Sequence, residues 1–513
     1  MASLATAPIL PPARLRVACP WGEPGLRVHS RAMSLHAAAR SIDFTPSVGV
    51  PVPDPLDRGA AAILGPLRGA LLLLEDGAAR VAWLSLNLCY VTVELQEAIA
   101  DAVRTAAGVA PDALVIACTR NLSSPVPFPD APRGPQHDRL LDGIAAAAAA
   151  SVADLAPARV AFAEGSWPRL QYNRKGVAAD GTTFFRREPD RVARPEPVGL
   201  IDPRVAVLRV DRCADERPMA AVVQYTGDPC IATSMTDPVI SPDVNGYACM
   251  ALADAIAPEF PVLYLQGAKG DVALKHMFAG DEVARTEGRL LGSCLKDLVD
   301  AARPVAGRPL PGRTLTTDSV AVRLPLQELP GLEELASARA ELDRFFAAVR
   351  SGDLQATRIG LGYNLPDDAS LEFREAYLRR IEDWVEWAER AHETGAPVRT
   401  HVDLRLHGHG VGGFAFVTTW AEVFGSIGLA VRERAASTRL MFACCCGAAW
   451  PDDPGTAKWA YIPGARDLDG NEYMSAFYRH TRFLTQYRAP AGDLLITPAV
   501  ELCDRMVRGG SDA

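Results

Sequence analysis

Apolar, β-rich runs alternate with alanine-rich stretches along most of this chain, and that alternation predicts strands and helices in turn. Residues 80–91 (RVAWLSLNLCYV) read as a buried strand followed by a helix through Val103. Residues 113–119 (ALVIACT) read as a second strand that ends abruptly in polar, proline-rich sequence. Residues 144–155, with six consecutive alanines, predict a helix, because alanine has the highest helix propensity. Short strands are predicted at 159–163, 205–210, 220–225 and 262–265. This order of elements favours an α/β layered fold.

Residues 329–393 change character. Leu378, Ile381, Val385 and Ala388 recur at helical spacing, and Arg379, Arg380, Glu382, Asp383, Glu386 and Glu389 fill the opposite face. Together with 332–349 they predict a helical hairpin inserted between β-rich halves; the pattern is too short to favour a coiled coil. Residues 401–407 and 413–419 then read as a β-hairpin around the glycines of HGHGVGG. Residues 1–40 are weakly patterned and predict an arm wrapping a single domain that spans 41–513.

Composition narrows the function classes. The 513 residues are 49% hydrophobic with a net charge of −9, which excludes a disordered chain. The acidic balance argues against a nucleic-acid partner, which calls for a basic face. No run of about 18 apolar residues predicts a membrane span, and no secretory pattern is seen at the start, so a cytoplasmic location is expected. Eleven cysteines, three of them consecutive at 444–446 and none in a C-x-x-C pair, suit buried reduced thiols better than a disulfide framework or a zinc finger. Of 53 basic residues only Lys175, Lys269, Lys275, Lys296 and Lys458 are lysine. Phosphate-loop, dinucleotide and H-E-x-x-H motifs are absent, and Phe424-Gly425-Ser426-Ile427-Gly428 lacks the first glycine of a nucleophile elbow. His407 and His409, two apart on one strand face, have a spacing that can hold a metal, although histidines beside a glycine turn more often face solvent.

Several segments, taken in order, resemble the neutral/alkaline (non-lysosomal) ceramidase family. They are Ile42-Asp43-Phe44-Thr45-Pro46 with Val48-Gly49-Val50-Pro51, Asn173-Arg174 with Asp180-Gly181, and Gly199-Leu200-Ile201-Asp202-Pro203. Ile240-Ser241-Pro242-Asp243 with Gly246-Tyr247-Ala248 follows, then Leu265-Gln266-Gly267-Ala268-Lys269-Gly270-Asp271. Glu422 with Phe424 and Ile427-Gly428, and finally Tyr461-Ile462-Pro463, complete the order. The resemblance implies a layered mixed-sheet α/β domain with a helical hairpin insertion and without the C-terminal immunoglobulin-like domain of larger members. It also implies an amide hydrolase with one zinc held by histidines, a glutamate and a tyrosine. Such a zinc lowers the pKa of bound water to about 7 and polarises a carbonyl.

The departures from the family pattern fall on the metal site. Its T-H-T-H-S-G-P segment aligns with Thr119-Arg120-Asn121-Leu122-Ser123-Ser124-Pro125, its H-P-T histidine with Asp228, and its serine with Ala273, whereas Glu422 and Tyr461 remain. Two readings follow. In one, no cofactor is bound, and Arg120 and Lys269 supply positive charge where the metal stood, facing Asp228 and Glu422. In the other, Asp228, Glu422 and Tyr461 hold zinc or a harder ion such as magnesium. Glu422, Tyr461, Asp228, Arg120 and Lys269 are therefore the catalytic candidates. Glu422 or Asp228 would act as general base, and Arg120 or Lys269 would stabilise the oxyanion. Asn121, Ser123, Asn173, Arg174, Gly270 and Asp271 are the substrate-binding candidates. The expected function is hydrolysis of an amide or ester bond in a small substrate, anionic ones included. The alternatives are a non-catalytic metabolite binder and a lactone or sugar-acid hydrolase. The partner expected is the small-molecule substrate, and the oligomeric state is open.

Overall fold

The computed structural model describes residues 35–508 except 55, 178–182, 186–198, 235, 306–313, 355, 358, 361–362, 365–368, 449–459, 469–478 and 480–483. A nine-stranded mixed sheet is built from β1 (His36–Asp43), β2 (Arg68–Glu75), β3 (Arg80–Leu86), β4 (Leu114–Cys118), β5 (Ala156–Ser166), β6 (Arg204–Arg212), β7 (Pro218–Tyr225), β8 (Val262–Gln266) and β9 (Arg303–Pro304). Its order is β8-β7-β6-β5-β1-β2-β3-β4, with β9 paired to β5. Two of its neighbouring pairs are parallel, β3 with β4 and β7 with β8. Parallel pairing requires a crossover. The helices α1 (Val93–Ala107) and α3 (Asp243–Ile256) supply it. Thr92 caps α1 by accepting from Leu95 N at 3.2 Å, and Gly108 closes it in the left-handed conformation.

A second sheet contains β10 (Leu315–Pro325), β11 (His401–Val411), β12 (Phe414–Thr418) and β13 (Leu440–Ala443) in that order. The two sheets lie face to face between two helical layers. Along β2, Leu71 and Leu73 point to α1 and α2 (Pro135–Ala153), whereas Leu72 and Leu74 point to the second sheet, against Phe414, Phe416 and Met441. Along β12, Ala415 and Val417 turn the other way, toward α7 (Gly425–Arg434) and α8 (Ile496–Arg508). The helices α3 and α4 (Asp281–Ala301) cover Val205, Val207, Ala221 and Val223 of the large sheet. Strands buried on both faces read as unbroken apolar runs, which is why 80–91 and 113–119 stood out. Among the described residues no helix is long and apolar enough to cross a membrane.

The helical hairpin is α5 (Leu332–Ser351) and α6 (Leu371–Thr394), with a core of its own that includes Leu342, Phe346, Leu378 and Trp384. It does not separate two β-rich halves. It interrupts one hairpin of the second sheet, because β10 and β11 pair from Leu315↔Val411 to Pro325↔His401 on either side of it. Three further expectations are corrected. Residues His36–Arg40, placed in the arm, begin β1 in the middle of the large sheet, and residues 1–34 lie outside the described residues. The alanine-run helix starts at Pro135, where proline at the first turn is favourable, and not at 144. His409 does not face solvent but is 2% exposed, and His407 is half-buried.

Candidate functional site

Chain segments that leave strands at their carboxyl ends converge on one point. Cys89 follows β3, Arg120 follows β4, Asp228 follows β7, Lys269 follows β8 and Glu422 follows β12. In open α/β sheets the crevice beyond the carboxyl ends is where ligands bind. Glu422 lies in a two-residue strand paired in parallel with Tyr461-Ile462, so the two late motifs meet directly. Arg120 sits at φ 69°, a conformation that side chains rarely adopt, with its backbone N–H donating to Leu88 O at 2.9 Å.

The charged side chains form one connected network. Lys269 Nζ donates to Asp228 Oδ1 at 3.0 Å and also to Glu422 Oε2. Arg120 Nε donates to Glu422 Oε1 at 2.8 Å, and Arg174 Nη2 donates to Asp228 Oδ2. Lys269 is fully buried and Glu422 is 1% exposed. Among the described ion pairs of this network, three cations face two carboxylates. Burial pushes the Asp228 carboxyl up, but Lys269, Arg174 and Arg120 overcome that and hold it well below the usual range. Glu422 is likewise lowered, burial being outweighed by Arg120 and Lys269. Burial opposes the charge on Lys269, yet Asp228 and Glu422 raise its pKa. The Lys269 ammonium also lies 6.0 Å from the Tyr461 ring centroid.

The substrate-binding candidates divide. Arg174 belongs to the charge network, and its backbone N donates to Asp271 O at 2.7 Å. Asn121 is fully buried and holds its own loop, donating to Ser241 O at 2.7 Å and accepting from Ser123 N at 2.8 Å. The Ser123 hydroxyl lies 3.5 Å from that of Thr233. Asn173 and Asp271 hold each other, with Nδ2 donating to Asp271 Oδ2 at 2.6 Å. Asp271 Oδ1 accepts from Gly425 N at 2.7 Å and so caps α7, a helix distant in sequence, and not the turn that follows it. Gly270 N donates to Val423 O at 2.9 Å, and a Cβ there would meet Glu422 O at 2.5 Å. Asp180-Gly181 lie outside the described residues. One site residue was missed. Cys89 Sγ receives a hydrogen bond from Arg120 Nη1, although burial pushes its thiol pKa up.

These donors do not fit a divalent ion as they stand. Both carboxylates already accept from cations, and the Lys269 ammonium lies between them, where a metal bridging Asp228 and Glu422 would have to sit. Leu122 packs against Tyr172, Cys230, Ala273 and Met277. Among the described residues no group of three or more His, Cys, Asp or Glu side chains is arranged to hold a metal.

The layered fold is like that of solved neutral ceramidases. The chain is similar to neutral ceramidase from Pseudomonas aeruginosa, with a TM-score of 0.58 and 15% identity over 94% of this chain and 76% of that one. It is similar to a ceramidase complexed with C2, with a TM-score of 0.58 and 14% identity over 94% of this chain and 77% of that one. No family model matches the chain, and no curated protein matches it.

Proposed function

We propose that this protein hydrolyses an amide or ester bond in a small anionic substrate, with cations standing where the ceramidase fold places a metal. The observation that carries the reading is the fully buried Lys269 ammonium held between Asp228 and Glu422 and flanked by Arg120 and Arg174. The cations of the network stabilise a substrate anion or the oxyanion that develops when a carbonyl is attacked. Glu422 or Asp228, kept ionised by these neighbours, takes a proton from the attacking water. A metal-free site of this kind is distinct from the zinc site that the family resemblance implies.

The test is a panel of N-acyl amides, esters and lactones, each with and without an acidic group. Turnover of acidic members is expected, reduced about 10²–10⁴-fold in Glu422→Gln and 10²–10³-fold in Arg120→Ala. Stoichiometric zinc in the purified protein would overturn the metal-free reading. A second reading, a non-catalytic anion binder, is favoured by the mutual pairing and deep burial of all five charged groups. Absence of turnover on the whole panel, with thermal stabilisation by an acidic member, would select it.

A further inference from the structure

The start of α3 holds the segments that carry the charge network. Asn121 Nδ2 donates to Ser241 O at 2.7 Å, Ser241 N donates to Ser123 O at 3.0 Å, and Asn245 Nδ2 donates to Thr119 O at 3.3 Å. Arg120 is thus bracketed, through Thr119 and Asn121, by bonds to residues 241–245. Asn87, two residues before Cys89, donates from Nδ2 to Pro242 O at 2.9 Å. The same turn reaches the loop of Asp228 through one side chain. Asp243 Oδ2 accepts from Ala232 N at 2.9 Å, four residues beyond Asp228, and Asp243 Oδ1 accepts from Val244 N at 2.6 Å.

Asp243 is fully buried and adopts φ 50°, in the left-handed region that few side chains occupy. Such a backbone persists where its surroundings over-determine it. Both carboxylate oxygens accept N–H bonds, as the ionised form does; a protonated carboxyl would donate from one of them. Burial pushes this carboxyl up to about 7 against the Val244, Ala232 and Ile231 N–H groups, and Asp281 adds to the rise. The ionisable groups facing it are Asp281 on α4, which Arg285 pairs at 2.9 Å and Ser241 Oγ and Tyr247 also bond, and Cys230 on the site loop. Asp228 and Glu422 are held low and Arg120 and Lys269 are raised, so these members of the charge network keep their charge through neutral pH.

We propose that Asp243 is a positioning residue for the hydrolytic site, its carboxylate tying the loop of Asp228 to the turn that holds Arg120, so that the two keep one spacing. This role rests on the hydrolytic reading above.

Turnover of the acidic substrate panel against pH tests the role, in the parent protein and in Asp243→Asn, which fixes a neutral side chain and tolerates the left-handed backbone. In the parent, kcat is expected to rise through about pH 7 as the carboxylate forms. The variant is expected to lose that step, with kcat down about tenfold to hundredfold at about pH 8. KM should stay within about threefold, because Lys269 and Arg174 are carried on other segments. Deuterium exchange of residues 229–234 reads the tie itself and is expected to be about tenfold faster in the variant. A parent profile flat from about pH 5 to 9, or unchanged exchange of 229–234, would overturn the proposal. A lower kcat with the pH step intact would do the same, since the side chain would then only support the fold. Absence of turnover by the parent on the whole panel would instead sink the hydrolytic reading, and the exchange would decide the tie by itself.

Discussion

The Lys269 ammonium is buried completely and faces two carboxylates, so its removal exposes what each partner contributes. Lys269→Met conserves most of the volume but leaves Asp228 and Glu422 close together with one cation fewer. Breaking a buried ionic group by removing one partner costs about 3–5 kcal/mol, and a loss of that size is expected in urea unfolding. Adding Glu422→Gln removes one of the stranded charges, so the double variant should lose less than the two single losses combined. Additive losses would show that the ammonium and the carboxylate are not coupled. Arg120, Asp228, Lys269 and Glu422 were legible beforehand because the ordered motifs placed them at matching positions. Cys89 was not, since nothing in its spacing signals a neighbour 31 residues away. Asn121 and Asp271 were visible as polar residues, but their partners, Ser241 O and Gly425 N, are set by tertiary packing.

At the level of elements, strands were legible wherever both faces are buried. Several helices were not. The pair α3–α4 lacks an alanine run, and α4 approaches α3 through Gly288 and Gly292, where a Cβ would meet Tyr247 Cβ at 2.5 Å or Ala251 Cβ at 2.6 Å. That close contact predicts a loss of about 1–3 kcal/mol for Gly288→Leu, read from the urea midpoint. The start of α7 carries a pH dependence. Burial, and secondarily Asp467, pushes the Asp271 carboxyl up to about 6, against 3.8 for the unperturbed group. The folded state therefore binds a proton that the unfolded state has lost, between about pH 4 and 6. Stability contributed by this group is full below pH 4 and declines as pH rises to 6, by up to about 3 kcal/mol. Asp271→Asn should flatten this part of the profile. An equally steep decline from pH 4 to 6 in the variant would place its origin elsewhere.

For the whole molecule, the chain carries an accessory unit on a continuous two-sheet body. The α5–α6 pair enters and leaves at adjacent points, with Leu326 N donating to Thr400 O at 2.9 Å and Pro325 paired to His401. Its apolar residues, Leu335, Phe345, Phe346 and Leu378 among them, pack mainly on one another. The described ties to the body include Trp384 Nε1 donating to Leu484 O at 3.1 Å, the Glu334–Arg479 ion pair, and Trp387 against the inter-layer core. Because the ends already form a strand pair, residues 329–397 can be replaced by Asn-Gly, a two-residue turn that suits an antiparallel hairpin. The shortened protein is expected to unfold in one cooperative step with a smaller urea m value, since less surface is exposed. Activity on the acidic substrate panel should persist, because the Arg120, Arg174, Asp228, Lys269 and Glu422 network draws nothing from the deleted segment. Loss of cooperative unfolding would show that the helical pair is part of the body's core. Retained folding with lost turnover would instead assign the pair a direct share in holding substrate at the strand ends.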